Sequence, residues 1–152
     1  MDFMKEAVYE AKKGVLNKEG GPFGAVIVKN GKIIGKGHNQ VVKLKDPTAH
    51  AEIQAIRDAC KNIGSFDLSG CEMYITCEPC PMCFGAIHWA RIERVYFAAT
   101  REDAANIGFD DKFIWDVIEG KREDNVLFKH TPSKEALEVM KLWESMEDKT
   151  LY

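Results

Sequence analysis

No apolar run in this chain approaches the roughly 18 residues that a membrane-spanning helix needs. The start, Met1-Asp2-Phe3-Met4-Lys5-Glu6, lacks the basic-then-apolar pattern of a secretory signal. Charge of one sign is also scarce: 21 Lys and Arg stand against 24 Asp and Glu, a net charge of -3 and a pI of about 5.8. Nucleic-acid affinity rests on clustered cations, so neither a nucleic acid nor a membrane is expected as a partner. Internal repeats and low-complexity segments are missing. The five cysteines are odd in number, and three of them fall between Cys77 and Cys83. That clustering does not suit a disulfide framework and points to metal ligation in a reducing, cytoplasmic compartment. What remains, 152 residues with 45% hydrophobic content, is enough for one ordinary core, so residues 1–152 are expected to form a single domain.

Periodicity divides the chain. Met4, Ala7, Val8, Ala11 and Val15 recur at helical spacing and predict a helix from about Phe3 to Asn17. Gly20-Gly21-Pro22-Phe23-Gly24 breaks it. Ala25 to Val28 reads as a buried strand, Asn30-Gly31 as a two-residue hairpin, and Lys32 to Gly37 as the returning strand. Thr48 is placed to cap a helix over about Ala49 to Asn62. Glu72 to Thr76 alternates as a strand does, Pro79 and Pro81 bracket the start of a helix reaching about Ala90, and Arg94 to Ala98 is a further strand. Alternation of helix and strand favours parallel pairing of the later strands. Helices are expected at Asp111 to Glu119 and Ser133 to Glu147, a short edge strand at Val126-Leu127-Phe128, and a hinge at Gly120 to Asp124.

Two short motifs carry the chemistry. His50-Ala51-Glu52 is followed about thirty residues later by Pro79-Cys80-Pro81-Met82-Cys83, and each opens a predicted helix. A catalytic zinc takes three protein ligands and keeps a fourth position for water. His50, Cys80 and Cys83 are the three candidates, and Glu52 stands beside them as a base that can move protons, the arrangement of a zinc-activated deaminase. Cys80 and Cys83 share one helix face, and the positive end of a helix favours thiolates there. Other readings of these residues stay open: ordinary core cysteines, or a closed structural zinc site with Cys77 as fourth ligand. Cys60 and Cys71 read as core residues, and His38, His88 and His130 have no evident partner.

These residues, with Gly21-Pro22-Phe23-Gly24-Ala25, Asn39, Asp46-Pro47-Thr48-Ala49 and Cys77-Glu78, resemble the cytidine-deaminase-like superfamily along nearly the whole chain. Trp89-Ala90-Arg91, Gly108 to Ile114 and a final Tyr152 narrow the resemblance to its bacterial guanine deaminases. The resemblance implies an α/β fold, a three-layer α/β/α arrangement around a mixed five-stranded sheet, with one Zn2+ per subunit on His50, Cys80 and Cys83. It implies a homodimer in which about residues 121–152 are swapped, so that Tyr152 caps the partner's site.

The implied reaction is hydrolysis of guanine to xanthine and ammonia, with Glu52 moving protons between water, ring and leaving amino group. Asn39 would hydrogen-bond the base, Phe23 would stack on it, and Asp111 would hold the amino group at C2 and help move its protons. Plainer roles compete: a helix cap for Asp111, a core aromatic for Phe23, a turn brace for Asn39 and a frayed terminus for Tyr152. Rival functions are a tRNA adenosine deaminase, which shares the stretches Asp46 to Glu52 and Glu78 to Cys83, a nucleoside or cytosine deaminase, and a non-catalytic zinc-stabilised scaffold.

Overall fold

Asp2 starts the first helix by accepting a hydrogen bond from the Lys5 N–H (3.1 Å). The computed structural model describes residues 1–152 and runs α1 (Phe3–Leu16), β1 (Gly24–Lys29), β2 (Lys32–His38), α2 (Val41–Leu44), α3 (Ala51–Ile63), β3 (Cys71–Cys77), α4 (Pro81–Trp89), β4 (Arg94–Ala99), α5 (Arg101–Asn106), α6 (Lys112–Ile118) and α7 (Lys134–Ser145). Between β1 and β2, Asn30 and Gly31 both adopt positive φ (50° and 76°), the backbone of a tight hairpin turn. The sheet order is β2-β1-β3-β4, with β1 antiparallel to both neighbours and β3 parallel to β4.

Strand alternation sorts the core into two layers of packing. Ala25, Ile27, Met73 and Ile75 face α3 and α4, joining Ala51, Ala55, Ala59, Ile87 and Ala90. Val26 and Val28 face the other way and meet Ala7 of α1. The result is the expected α/β/α sandwich. Small residues let α3 lie close on the sheet: a Cβ on Gly37 would stand 2.5 Å from both Ala51 O and Ala55 N. No helix is long and apolar enough to cross a membrane.

Two sequence-based expectations are corrected. The sheet has four strands, not five, because Val126-Leu127-Phe128 pairs with nothing and stays in the open; three apolar residues without a neighbouring ladder form no strand. Thr48 does not cap α3. Its N–H and hydroxyl are both taken by Asp46 Oδ1 (2.8 and 2.7 Å), and the cap position falls to His50. The second motif helix begins at Pro81, with Cys80 at its cap. The short helices α2 and α5 were not expected. From Ile118 to Tyr152 every residue is exposed.

Candidate active site

His50 and Cys80 occupy equivalent places: each is the extended residue at the N-cap of its helix, and neither makes a side-chain cap hydrogen bond. The two side chains turn to each other instead. Pro81 sets the first helical turn of α4, which brings Cys83 round beside Cys80. His50 Nδ1 lies 3.5 Å from Cys80 Sγ and 3.5 Å from Cys83 Sγ, and the three ligand atoms lie within 4.8 Å of one another. Tetrahedral zinc, with Zn–S of about 2.3 Å and Zn–N of about 2.0 Å, places nitrogen and sulfur about 3.5 Å apart. The donor set therefore fits zinc in type and spacing.

Proton sharing across the thiols agrees. A hydrogen bond from Cys83, opposed by burial and helped by His50, pulls Cys80 down to about 4, while the Cys80 thiolate and burial push Cys83 up. The bond to Cys80 also raises His50. Cys77 is not part of the group: its Sγ faces the Thr100 carbonyl at 3.5 Å, and burial pushes it up to about 11. The closed four-ligand site is thereby disfavoured, and the three ligands leave a coordination position free for water.

His50 and Cys80 line a cavity of about 770 Å³, within the range of small-molecule pockets, about 300–1,000 Å³, with Cys83 buried behind them. Glu52 lines it from the first turn of α3. Only 7% exposed, its carboxyl is raised chiefly by burial, which suits a group that must both take and return a proton.

Asn39 is buried, and its Oδ1 accepts from the N–H groups of Gly21 (3.2 Å) and Val41 (3.1 Å). The turn-bracing role is real, and it orients the amide: the oxygen is used, and Nδ2 has no partner in the protein. Asn39 also lines the cavity. A brace of charges holds its two neighbouring segments together. His38 lies between Glu10 (3.1 Å) and Glu19, and Lys43 bonds Glu19 at 2.7 Å.

Phe23 is half-buried against the core and meets Phe109 edge-on (5.0 Å, 83°), so it serves as a packing residue and as a cavity wall. Asp111 occupies the N-cap of α6 but makes no cap bond. Its Oδ2 accepts from Trp115 Nε1 (3.1 Å), and burial raises it first of all. Tyr152 is not in its own chain's cavity; it lies by Phe66 and Trp89 (ring centroids 6.2 and 5.9 Å). Arg101, Phe109 and Ile114 also line the cavity and were not singled out from sequence. Phe109 and Ile114 fall inside the Gly108 to Ile114 stretch that carried the narrower resemblance, whereas Arg101 had no signal.

Residues 1–99 match the family described as the cytidine and deoxycytidylate deaminase zinc-binding region. The chain belongs to this deaminase family. Within the family, it is 48% identical to the guanine deaminase of Bacillus subtilis over 151 residues, 99% of this chain and 97% of that protein. The solved structure of that protein superposes with a TM-score of 0.93 at 49% identity, covering 99% of this chain and 96% of that one. The tRNA-specific adenosine deaminase of Aquifex aeolicus is 53% identical, but over 97 residues, 64% of each protein. The structure of guanine deaminase from Nitrosomonas europaea matches at TM-score 0.69 and 32% identity, covering 81% of this chain and 66% of that one.

Proposed function

We propose that this chain is a zinc-dependent guanine deaminase, hydrolysing guanine to xanthine and ammonia. One observation carries guanine over the tRNA alternative. Similarity to a guanine deaminase spans 99% of the chain at 48% identity, its last third included, whereas tRNA-specific adenosine deaminases match at 53% over 64% of it or at 36% over 90%. That last third supplies Arg101, Phe109, Asp111 and Ile114 to the cavity.

His50, Cys80 and Cys83 would hold the zinc, which when bound supplies a readily deprotonated water at its fourth position. Glu52 accepts a proton from the attacking water and passes it to a ring nitrogen of the base. The water oxygen adds to C2; Glu52 then takes the proton left on that added hydroxyl and gives it to the amino nitrogen, so the C2–N bond breaks, ammonia leaves and the oxygen stays as the C2 carbonyl. Asn39 Nδ2 donates to an acceptor on the base edge, a role for which a carbonyl oxygen is suited and an amino group is not. Asp111, an acceptor when ionised, takes the N–H of the amino group at C2, and Phe23 covers the ring face.

The same reading includes a homodimer with exchanged C-terminal segments, each Tyr152 closing the partner's cavity. The support is the arm itself. Residues beyond Ile118 are exposed throughout, Leu127 at 88% and Phe128 at 80%. Helix α7 buries nothing, although Leu137, Met140 and Trp143 recur on one side of it. A twelve-residue helix is marginal alone in water, so this apolar stripe calls for a covering surface. The body offers exposed aromatic residues of matching character in Phe84, Trp89 and Phe97.

Ammonia release from the zinc-loaded protein, measured with guanine, guanosine, adenine, cytosine, cytidine and a tRNA anticodon stem-loop, tests the function. Turnover of guanine is expected. Turnover of the stem-loop alone would overturn guanine and leave the metal site intact, and no turnover of any of them would favour a scaffold.

A further inference from the structure

Asp111 sits where an aspartate usually caps a helix, yet it does not cap. At an N-cap a carboxylate normally accepts from the helix's own second or third N–H. Here the first-turn N–H groups of Ile114 and Trp115 bond to the Asp111 main-chain carbonyl (3.0 and 3.2 Å), while its carboxylate takes the Trp115 indole N–H at 3.1 Å. The indole is itself held on two sides. The Arg101 guanidinium lies 4.3 Å over its ring, and the Phe84 ring meets it edge-on at 5.6 Å.

Both clamps lead back to the metal-ligand segment. Phe84 directly follows Cys83. Arg101 is tied to Glu78, two residues before Cys80: its main-chain N–H donates to Glu78 Oε1 (3.1 Å), and its Nε lies 3.5 Å from Glu78 Oε2. Glu78 and Trp115 had no assigned chemistry. With Arg101 they form a continuous path from the thiolate loop to the Asp111 carboxylate.

We infer that Trp115 is a positioning residue for Asp111: with Arg101 and Glu78 it fixes one carboxylate oxygen against the metal-ligand segment, leaving the other to the amino group that departs. This rests on the reading of Asp111 given above. A carboxylate bonded at one oxygen keeps its remaining lone pairs at a set distance and angle from the reacting carbon. Without the indole N–H, the half-buried Oδ2 loses its partner and the side chain is free to turn. Misplacement of about 1 Å at a reacting group costs about a hundredfold in rate.

The test is Trp115→Phe, which keeps an aromatic ring between Arg101 and Phe84 and removes the N–H, measured beside Asp111→Asn and the double variant. Trp115→Phe is expected to hold one zinc per subunit. It should bind hypoxanthine, which lacks the amino group at C2, as wild type does, and lose about tenfold to a hundredfold in kcat/KM for guanine. The double variant should be no worse than Asp111→Asn, because the two side chains act as one unit. Wild-type turnover by Asp111→Asn would refute the role of Asp111 itself. An inactive Asp111→Asn beside a Trp115→Phe within about twofold of wild type would overturn the positioning role alone. So would additive losses, or a Trp115→Phe protein that loses zinc or hypoxanthine affinity, since those mark a general structural role.

Discussion

Gly37→Ala tests whether the close seat of α3 on β2 sets the metal geometry. The added Cβ would lie 2.5 Å from Ala51 O, 2.5 Å from Ala55 N and 2.8 Å from Gln54 Cβ, where ordinary contact begins at 3.4 Å. Two of these three atoms are backbone in the first turns of the helix, so no rotamer change relieves the clash. Helix and strand must part by about 0.9 Å at that point. His50 and Glu52 ride on this end of the helix, while Cys80 and Cys83 belong to α4, which does not meet Gly37. A zinc site tolerates about 0.2 Å of error in its ligand distances. The expected result is a loss of zinc affinity together with about a hundredfold or greater loss of kcat. Stability should fall by about 1–3 kcal/mol from overpacking, and a chain of this size loses about 2–4 °C in Tm per kcal/mol.

Gly35→Ala is the matched comparison. Its Cβ meets Ala59 Cβ at 2.6 Å and Ala55 O at 2.7 Å, further along the same helix from His50. It should cost similar stability and keep more zinc and more turnover. Metal content, kcat and Tm measured on both proteins decide the matter. Full zinc and wild-type kcat in Gly37→Ala would refute the reasoning, and so would equal losses of zinc and turnover in the two variants.

Glu52→Gln should retain one zinc per subunit and lose about 10²–10⁴-fold in kcat; substantial turnover would remove it as the proton carrier. Glu19, held down to about 2 first by the Lys43 hydrogen bond and then by His38, stabilises the fold while ionised. That contribution is complete above the ordinary value of 4.5 and fades as pH falls from there toward about 2. In full it amounts to at most about 3 kcal/mol. Glu19→Gln should therefore lower Tm at neutral pH and flatten its dependence between those limits, and an unchanged acid profile would count against the brace. If the proposed dimer holds, a Met140→Asp, Trp143→Asp double substitution on the apolar side of α7 should give a monomer in sedimentation and raise KM for guanine, whereas an unchanged oligomeric state would remove α7 from the proposed interface.

Much of the fold was legible because local pattern and packing agree. The buried run of β1 reappears as residues packed on both faces of the sheet and the alternation of β3 as one buried face, and Asn30-Gly31 adopts the backbone a tight hairpin needs. The metal ligands were legible because each lies within three residues of a helix start, where spacing alone determines what faces what. Where reading failed, short range competed with short range or long range decided. Thr48 had a nearer partner in Asp46 than the helix it precedes. Four and six residues are too few for α2 and α5 to show a helical period. The partners of His38 come from α1 and from the turn before β1, and those of Trp115 come from α4 and α5. No local rule joins such distant segments.

The two ligand helices show how function displaced a local preference. An N-cap side chain that satisfies its own helix contributes about 1 kcal/mol, and both His50 and Cys80 forgo it. A bound structural zinc returns about 10–16 kcal/mol in small zinc-dependent domains, so the metal outweighs two lost caps. The exchange also explains why reading Thr48 as a cap failed. With Thr48 bonded to Asp46, nothing ties the His50 side chain to its own helix, and the imidazole turns outward to the two thiols. Asp111 repeats the pattern on α6, its carboxylate turned from the helix to the Trp115 indole. At three helix starts around one cavity, a residue in capping position has its side chain directed elsewhere, and each of the three lines that cavity.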